Sequence, residues 1–534
     1  MKRNHLTTTA VALTAALGLA ACGAGNDAST ATAGAASTPA ATAAASSGST
    51  PAAAASSTSN ASLASTSSAL LADNAKAHAE EGDPAYDAED VVKVTLQDGA
   101  SSASTQTGVQ IDGDTVTISA PGTYVLSGTL TDGTIVVNSA DEGRVRLVLD
   151  NAAVTNSQGA ALNIVAADEA VVVLEEGTTN SLADGTGYDT SAEDAPNAAL
   201  FSMADLTIGG SGTLKVTGNT NDGIASKDGL VILGGTVDVT AADDGIRGKD
   251  YLVVQGGTVT VTAGDDGLKS DNEDDDTVGY ILLAGGTTTV DAGDDGAHAE
   301  GDLAVTGGSV TITKSNEGLE GANVVIAGGT SSVTASDDGL NATQGSSSGG
   351  GGMGGGGMAN DGSQLVISGG TLVVDSGGDG LDSNGQTTIS GGTTVVYGPT
   401  MNGNGSLDSN GGIDVTGGTV LAAGSGGMAE APDTSSTQGW VQLGFSSNVT
   451  AGQTVQIVSG DTVIASFTAK KDYSNLVFVG DDITSGQSYD VYVGSGSLGS
   501  DQLATFSLGG STDGATKVGS VTAGQATGGM GGPR

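Results

Sequence analysis

A period of about 22 residues runs through the middle of this chain, and it limits the possible folds more than any other feature. Acid-Gly-apolar triplets stand at Asp222-Gly223-Ile224, Asp244-Gly245-Ile246, Asp266-Gly267-Leu268, Asp295-Gly296-Ala297, Glu317-Gly318-Leu319, Asp338-Gly339-Leu340 and Asp379-Gly380-Leu381. Their steps are 22, 22, 29, 22, 21 and 41 residues. Gly-Gly pairs keep time at 209, 234, 256, 285, 307, 328, 369, 391 and 417. A fixed period of this size means stacked units, none of which can bury its apolar face alone. Between the marks lie alternating runs such as Val237-Asp238-Val239 and all-apolar runs such as Leu230-Val231-Ile232-Leu233. Three short strands and three turns fill one such period. A helical solenoid would need a 3.6-residue apolar rhythm, which is not visible, and a propeller blade needs about twice the length. The reading is an all-β chain with a right-handed parallel β-helix over residues 91–434, its first hundred residues looser in period. The long step holds a Gly/Ser/Met loop at 345–362, and the 29-residue step holds the acidic insertion Asp271 to Asp276.

Residues 435–508 break the rhythm. Trp440-Val441-Gln442-Leu443, Leu476-Val477-Phe478-Val479 and Tyr489 to Val493 are longer strands that carry most of the aromatics. They are expected to form a small antiparallel cap over the open end of the stack, where free strand edges would invite aggregation. Ser485-Gly486-Gln487 reads as a hairpin turn. Trp440 and Tyr492 are expected to serve core packing rather than sugar stacking. Residues 509–534 read as a disordered tail.

The N-terminus reads as an export signal. Lys2, Arg3 and His5 precede an apolar run from Leu6 to Leu19 that is short for a bilayer span. It ends in Leu19-Ala20-Ala21-Cys22, which resembles the lipobox of bacterial lipoproteins. That implies cleavage of residues 1–21, lipidation at Cys22 and attachment to the outer face of the bacterial cell membrane. Residues 22–85 are Ala, Ser and Thr with few large apolar side chains, a composition expected to form a disordered tether. His78, within it, is expected to be solvated.

Acids outnumber bases by 61 to 16, which argues against nucleic-acid binding. The single Cys excludes an intrachain disulfide or a thiolate metal cluster. In a β-helix, equivalent residues of successive coils lie above one another, so the triplet acids form a column. Many are doubled, as in Asp243-Asp244, Asp265-Asp266 and Asp294-Asp295. Unit charges one coil apart repel by about 1 kcal/mol in water and by more near a protein surface. Clustered carboxylates suit a hard cation, above all Ca²⁺. The candidate ligands are Asp243, Asp244, Asp265, Asp266, Asp271, Asp294 and Asp295. Asp-Gly is also a good tight turn, with Gly supplying positive φ, and that explains one Asp per coil without a metal.

Three residues after each triplet acid lies a variable, outward-facing column of Ala225, Arg247, Lys269, His298, Glu320, Asn341, Asp382 and Asp408. Its basic part suits an anionic ligand, so Arg247, Lys249, Lys269, His298 and Glu300 are the candidate ligand-binding residues. Neutralisation of the acid ladder is the plainer role for the same cations. No nucleophile motif in a workable context, zinc motif or phosphate loop is present. A monomer is expected.

Several stretches resemble a family of bacterial β-helix carbohydrate-binding domains. They are Gly122 to Gly128, Asp194 to Ala199, Asp243-Asp244-Gly245-Ile246-Arg247-Gly248-Lys249-Asp250, Thr313 to Gly321, and Ala423 to Pro432. The likeness runs in order from about 91 to 508. It implies binding of cellulose or of acidic sugars such as pectate, with calcium on the helix. Ala297 and His298 depart from the family, standing where an Ile-type residue is usual. The fold is also similar to that of some pectate lyases, which keeps open β-elimination with Ca²⁺ and a base from Arg247, Lys249 or Lys269. A purely structural rod or adhesin is the third reading.

Overall fold

The computed structural model describes residues 68–192, 194–344 and 360–527. The export signal, Cys22, the tether up to residue 67 and most of the 345–362 loop lie outside the described residues. The described chain is nearly all β, and its coils build three parallel sheets. The first contains the triplets: Asp222–Ser226 pairs with Ile246–Gly248, which pairs in turn with Leu268–Ser270. The second holds the all-apolar runs, with Gly229–Ile232 beside Tyr251–Val254 and then Tyr280–Leu283. The third holds the alternating runs, with Thr236–Ala241 beside Thr258–Thr262 and then Thr287–Asp291. The parallel β-helix read from the period is the architecture observed.

Inside each coil the sheets contribute one aliphatic layer, and like residues stack. Ile224, Ile246, Leu268, Ala297, Leu319, Leu340 and Leu381 form a single fully buried file. The glycines that make close stacking possible differ from those expected. In the Gly-Gly pairs the second glycine has positive φ, as at Gly257 (83°) and Gly286 (73°). The triplet glycines do not. They are needed because a Cβ on Gly267 would meet Val290 Cγ1 at 2.2 Å and the Gly296 carbonyl at 2.7 Å.

The cap closes the C-terminal end. Thr419–Gly424, the last strand of the third sheet, pairs antiparallel with Tyr473–Val479, which pairs antiparallel with Trp440–Val449. Residues 430–438 cover the adjacent edge: Asp433 N–H donates to Ile413 O, and Gln438 N–H to Val415 O. Trp440 is buried in the core. A second antiparallel sheet packs on this one around Phe467, Phe478 and Phe506. It includes Ala515–Thr522 paired with Ser488–Gly494, so the cap reaches beyond 508 into the expected tail. Ser485-Gly486-Gln487 does not close a hairpin. The strands on either side of it, Tyr473–Val479 and Ser488–Gly494, belong to different sheets.

The larger correction concerns the tether. Its described part, 68–85, lies along the outer face of the second sheet. Leu70 and Leu71 pack by Ala304, Val325 and Val366, Ala77 and Ala79 by Val231, Val253 and Tyr280, and Tyr86 by Val148 and Val171. His78 is not solvated: Nδ1 lies 2.8 Å from Tyr251 Oη and 3.0 Å from Asp205 Oδ1, and Nε2 lies 2.9 Å from Thr207 Oγ1. Tyr280 Oη donates to Ala75 O at 2.8 Å. The cause is general: parallel sheets are buried on both faces, and strands apolar on both faces need a cover. Tyr280→Ala should cost roughly 3 kcal/mol as a buried aromatic truncation. His78→Ala should cost about 1–2 kcal/mol of hydrogen bonding. Both should speed limited proteolysis within 68–91. Unchanged cleavage there would contradict a tightly held segment.

Candidate functional site

The variable column forms as the spacing predicts. Arg247 sits beside Lys269, Lys269 beside His298, His298 beside Glu320, Glu320 beside Asn341, Asn341 beside Asp382, and Asp382 beside Asp408. Every described residue of this column from 247 onward is half-buried on the outer side of the first sheet, between two inward-facing residues.

The triplet acids flank it, and their role is more than that of local turn acceptors. Asp244 Oδ1 accepts the amide of Asp266 at 3.3 Å, Asp266 Oδ1 that of Asp295 at 3.0 Å, and Asp295 Oδ1 that of Glu317 at 3.3 Å. One oxygen of each acid thus joins its coil to the next, and in Asp266 and Asp295 the other, Oδ2, faces the column. Lys269 Nζ lies 2.7 Å from Asp266 Oδ2, 3.3 Å from Asp244 Oδ1 and 3.9 Å from Asp265 Oδ2. Asp243, Asp244 and Asp265 each bring a carboxylate oxygen within 4.8 Å of the others. Three carboxylates around one ammonium, with Asp243 beside two of them, leave a strong formal excess of negative charge in a half-buried place, and an all-oxygen donor set fits a hard divalent cation.

Other predicted residues are engaged elsewhere. Asp271 makes a two-pronged ion pair with Arg247, at 3.0 Å to Nε and 2.5 Å to Nη2. Asp294 is exposed on the turn beside Asp295. Lys249 is half-buried one step along from Arg247. Glu300 lines a separate acidic cavity of about 400 Å³ with Glu273, Asp275, Asp276 and Asp302.

One coil beyond Lys269, His298 Nδ1 lies 3.1 Å from Asp295 Oδ2 and 3.5 Å from Glu320 Oε2. Burial alone would lower the imidazolium pKa, but hydrogen bonds to Asp295 and Glu320 overcome it and raise the pKa to about 11. Glu317, absent from the predicted ligands, is pushed up to about 9 by burial and by Glu320, while Asn341 donates to it at 2.8 Å. The signal for Glu320 was present in the sequence as the next member of the column.

Farther along, the face becomes purely acidic. Among the described residues no Lys, Arg or His makes an ion pair with Asp338, Asp379 or Asp382. Burial first, then mutual repulsion, raises Asp379 to about 7 and Asp382 to about 8. A carboxyl whose folded pKa is raised binds its proton more tightly when folded, so stability falls as pH rises between about 4 and 8. His298 acts in the same direction at higher pH, its stabilisation being complete below about 6.5 and lost as pH approaches 11. With divalent ions chelated, thermal stability should therefore be higher at pH 5.5 than at pH 8. Asp382→Asn should recover on the order of 1–2 kcal/mol at pH 8. A melting temperature flat with pH in chelator would refute this account of the acidic coils.

Residues 112–362 match the family of carbohydrate-binding domain-containing proteins. The chain is 34% identical over 151 residues to a carbohydrate-binding domain-containing protein of Acetivibrio thermocellus, a match that spans 28% of this chain and 53% of that relative. It is also similar to the solved polysaccharide lyase-like protein from C. thermocellum, in its gadolinium derivative. That likeness has 32% identity and a TM-score of 0.38, over 45% of this chain and 92% of the other.

Proposed function

We propose that this protein binds polysaccharide through the outer face of the first sheet, with calcium joining the Asp243, Asp244, Asp265 and Asp266 carboxylates to acidic sugar units. The observation that carries this reading is the register of Arg247, Lys269 and His298, one per coil, beside a carboxylate cluster with more negative charge than Lys269 neutralises. A divalent ion placed there would supply positive charge that a uronate carboxylate can share, while Arg247 and Lys269 add side-chain donors. The matched carbohydrate-binding family supports a sugar as the ligand class. The same reading has the chain exported and held at the outer membrane face by lipid on Cys22.

The lyase alternative needs a neutral base. Lys269 is hydrogen-bonded to Asp266 and Asp244 and its pKa is raised, and Arg247 is fastened to Asp271. Neither is suited to take a proton at neutral pH, which leaves Lys249, half-buried two residues beyond Arg247, as the candidate base of that alternative. Co-sedimentation of the full chain with pectate gel and with cellulose, in calcium and in chelator, tests the proposal. Calcium-dependent pelleting with pectate is expected, without release of unsaturated uronides. Chelator-insensitive pelleting with cellulose would move the sugar site off this face, and failure to pellet with either would reject carbohydrate binding.

A further inference from the structure

We propose that Asp295, His298 and Glu320 form a site for a borderline transition cation of the Zn²⁺ class, separate in chemistry from the all-oxygen cluster one coil back. The inference does not depend on the carbohydrate reading. It starts from geometry: one ligand atom from each residue falls in a group no wider than 4.8 Å. The two edges from Nδ1 measure 3.1 and 3.5 Å. Bonds of 2.0–2.2 Å to a tetrahedral zinc place ligand atoms about 3.3–3.6 Å apart, so both edges at Nδ1 are already close to the spacing that such an ion requires. The three side chains are only 9%, 18% and 14% exposed, so they are held rather than free in solvent.

The neighbours set each ligand's orientation. Asp295 uses Oδ1 to accept the Glu317 amide at 3.3 Å, which turns Oδ2 toward the imidazole. Register places His298 and Glu320 side by side on adjacent strands. Glu317, hydrogen-bonded by Asn341, lies against Glu320 and forms an outer layer of the kind that orients metal ligands. The imidazole decides which ions fit. Nitrogen suits Zn²⁺ and its neighbours, whereas Ca²⁺ and Mg²⁺ prefer oxygen alone. Binding replaces the proton between Nδ1 and the carboxylates, and that proton leaves to solvent. Three protein ligands leave a fourth position open on the solvent side for water or a ligand oxygen.

The test uses the full chain, stripped of metal and then held in millimolar calcium. Zn²⁺ alone is titrated calorimetrically in two buffers of different ionisation heat, and Co²⁺ is followed by visible absorption. One Zn²⁺ per chain is expected, with proton release and with Co²⁺ bands of a nitrogen-containing tetrahedral site. His298→Gln removes a direct ligand and should weaken binding by more than the roughly 10- to 100-fold typical of losing an outer-layer partner, while His78→Ala and Asp244→Asn should not weaken it. No Zn²⁺ binding, displacement by calcium, or unchanged affinity in His298→Gln would overturn the proposal. The wild-type Co²⁺ spectrum keeps it falsifiable if the variant misfolds, since six-coordinate all-oxygen bands would also overturn it.

Discussion

Replacing Asp244 and Asp265 together by asparagine should abolish the calcium response and, in the absence of calcium, should make the protein more stable. The two effects have opposite signs and one cause. Asp244 is buried beside Asp222 and Asp266, which holds its carboxyl up at about 7, so its ionised form opposes folding at neutral pH. Asparagine keeps the acceptor that Asp244 Oδ1 offers to the Asp266 amide and removes the charge. In chelator, the melting midpoint should therefore rise by the equivalent of about 1–2 kcal/mol. With calcium present the wild type should gain stability by mass action, about 2.7 kcal/mol at a hundred times the dissociation constant, and the double variant should gain almost none. Pectate pelleting should be lost with it. Asp271→Asn should leave the calcium increment in place, because that carboxylate is paired with Arg247. Melting curves with and without calcium for the three proteins decide the matter. A double variant with the full calcium increment would place the ion elsewhere.

Gly267→Ala should destabilise the β-helix by about 2–4 kcal/mol, the scale of an overpacked core. Gly-to-Ala changes at relaxed positions usually stabilise by 0.4–1 kcal/mol, because the unfolded chain loses freedom. The sign here is set by contact. The new methyl would stand 2.2 Å from Val290 Cγ1 and 2.7 Å from the Gly296 carbonyl, and that carbonyl accepts the amide of Leu268 at 3.3 Å. Relief requires moving one coil against the next, and each coil is bonded along its length to two neighbours. Gly403 is the control: nothing lies within 4 Å of a Cβ there, and its φ is not positive. Gly403→Ala should be neutral or slightly stabilising. Denaturant midpoints separate the two, and a Gly267→Ala protein as stable as wild type would refute the steric account.

Both predictions concern positions legible in the sequence, and the reason is the repeat. In a stack of coils, a residue's neighbour is its counterpart one period away, so spacing alone aligned Arg247, Lys269, His298 and Glu320 into a column. The same rule identified the acid ladder. The change of rhythm over residues 435–508 marked the cap, because longer strands with aromatic residues cannot continue 22-residue coils. These features depend on order along the chain, and order along the chain is what a sequence contains.

Tertiary structure decided what no local pattern encodes. Composition marks residues 22–85 as a disordered tether, and only folding brought His78 to Tyr251 across 173 residues. An Ala-rich segment has little apolar surface of its own, and it is held there by a face already built. Ala515–Thr522 became a strand because Ser488–Gly494 offered it an open edge. The triplet glycines looked like turn residues and proved to be contact residues, since a clash with the next coil cannot be seen within one repeat. Lys269 among three carboxylates and His298 between two depend on side-chain directions across neighbouring coils. Period and composition therefore determined the architecture and the columns. The cover, the pairing of charges and the steric role of glycine were set by contacts that exist only after the chain has closed on itself.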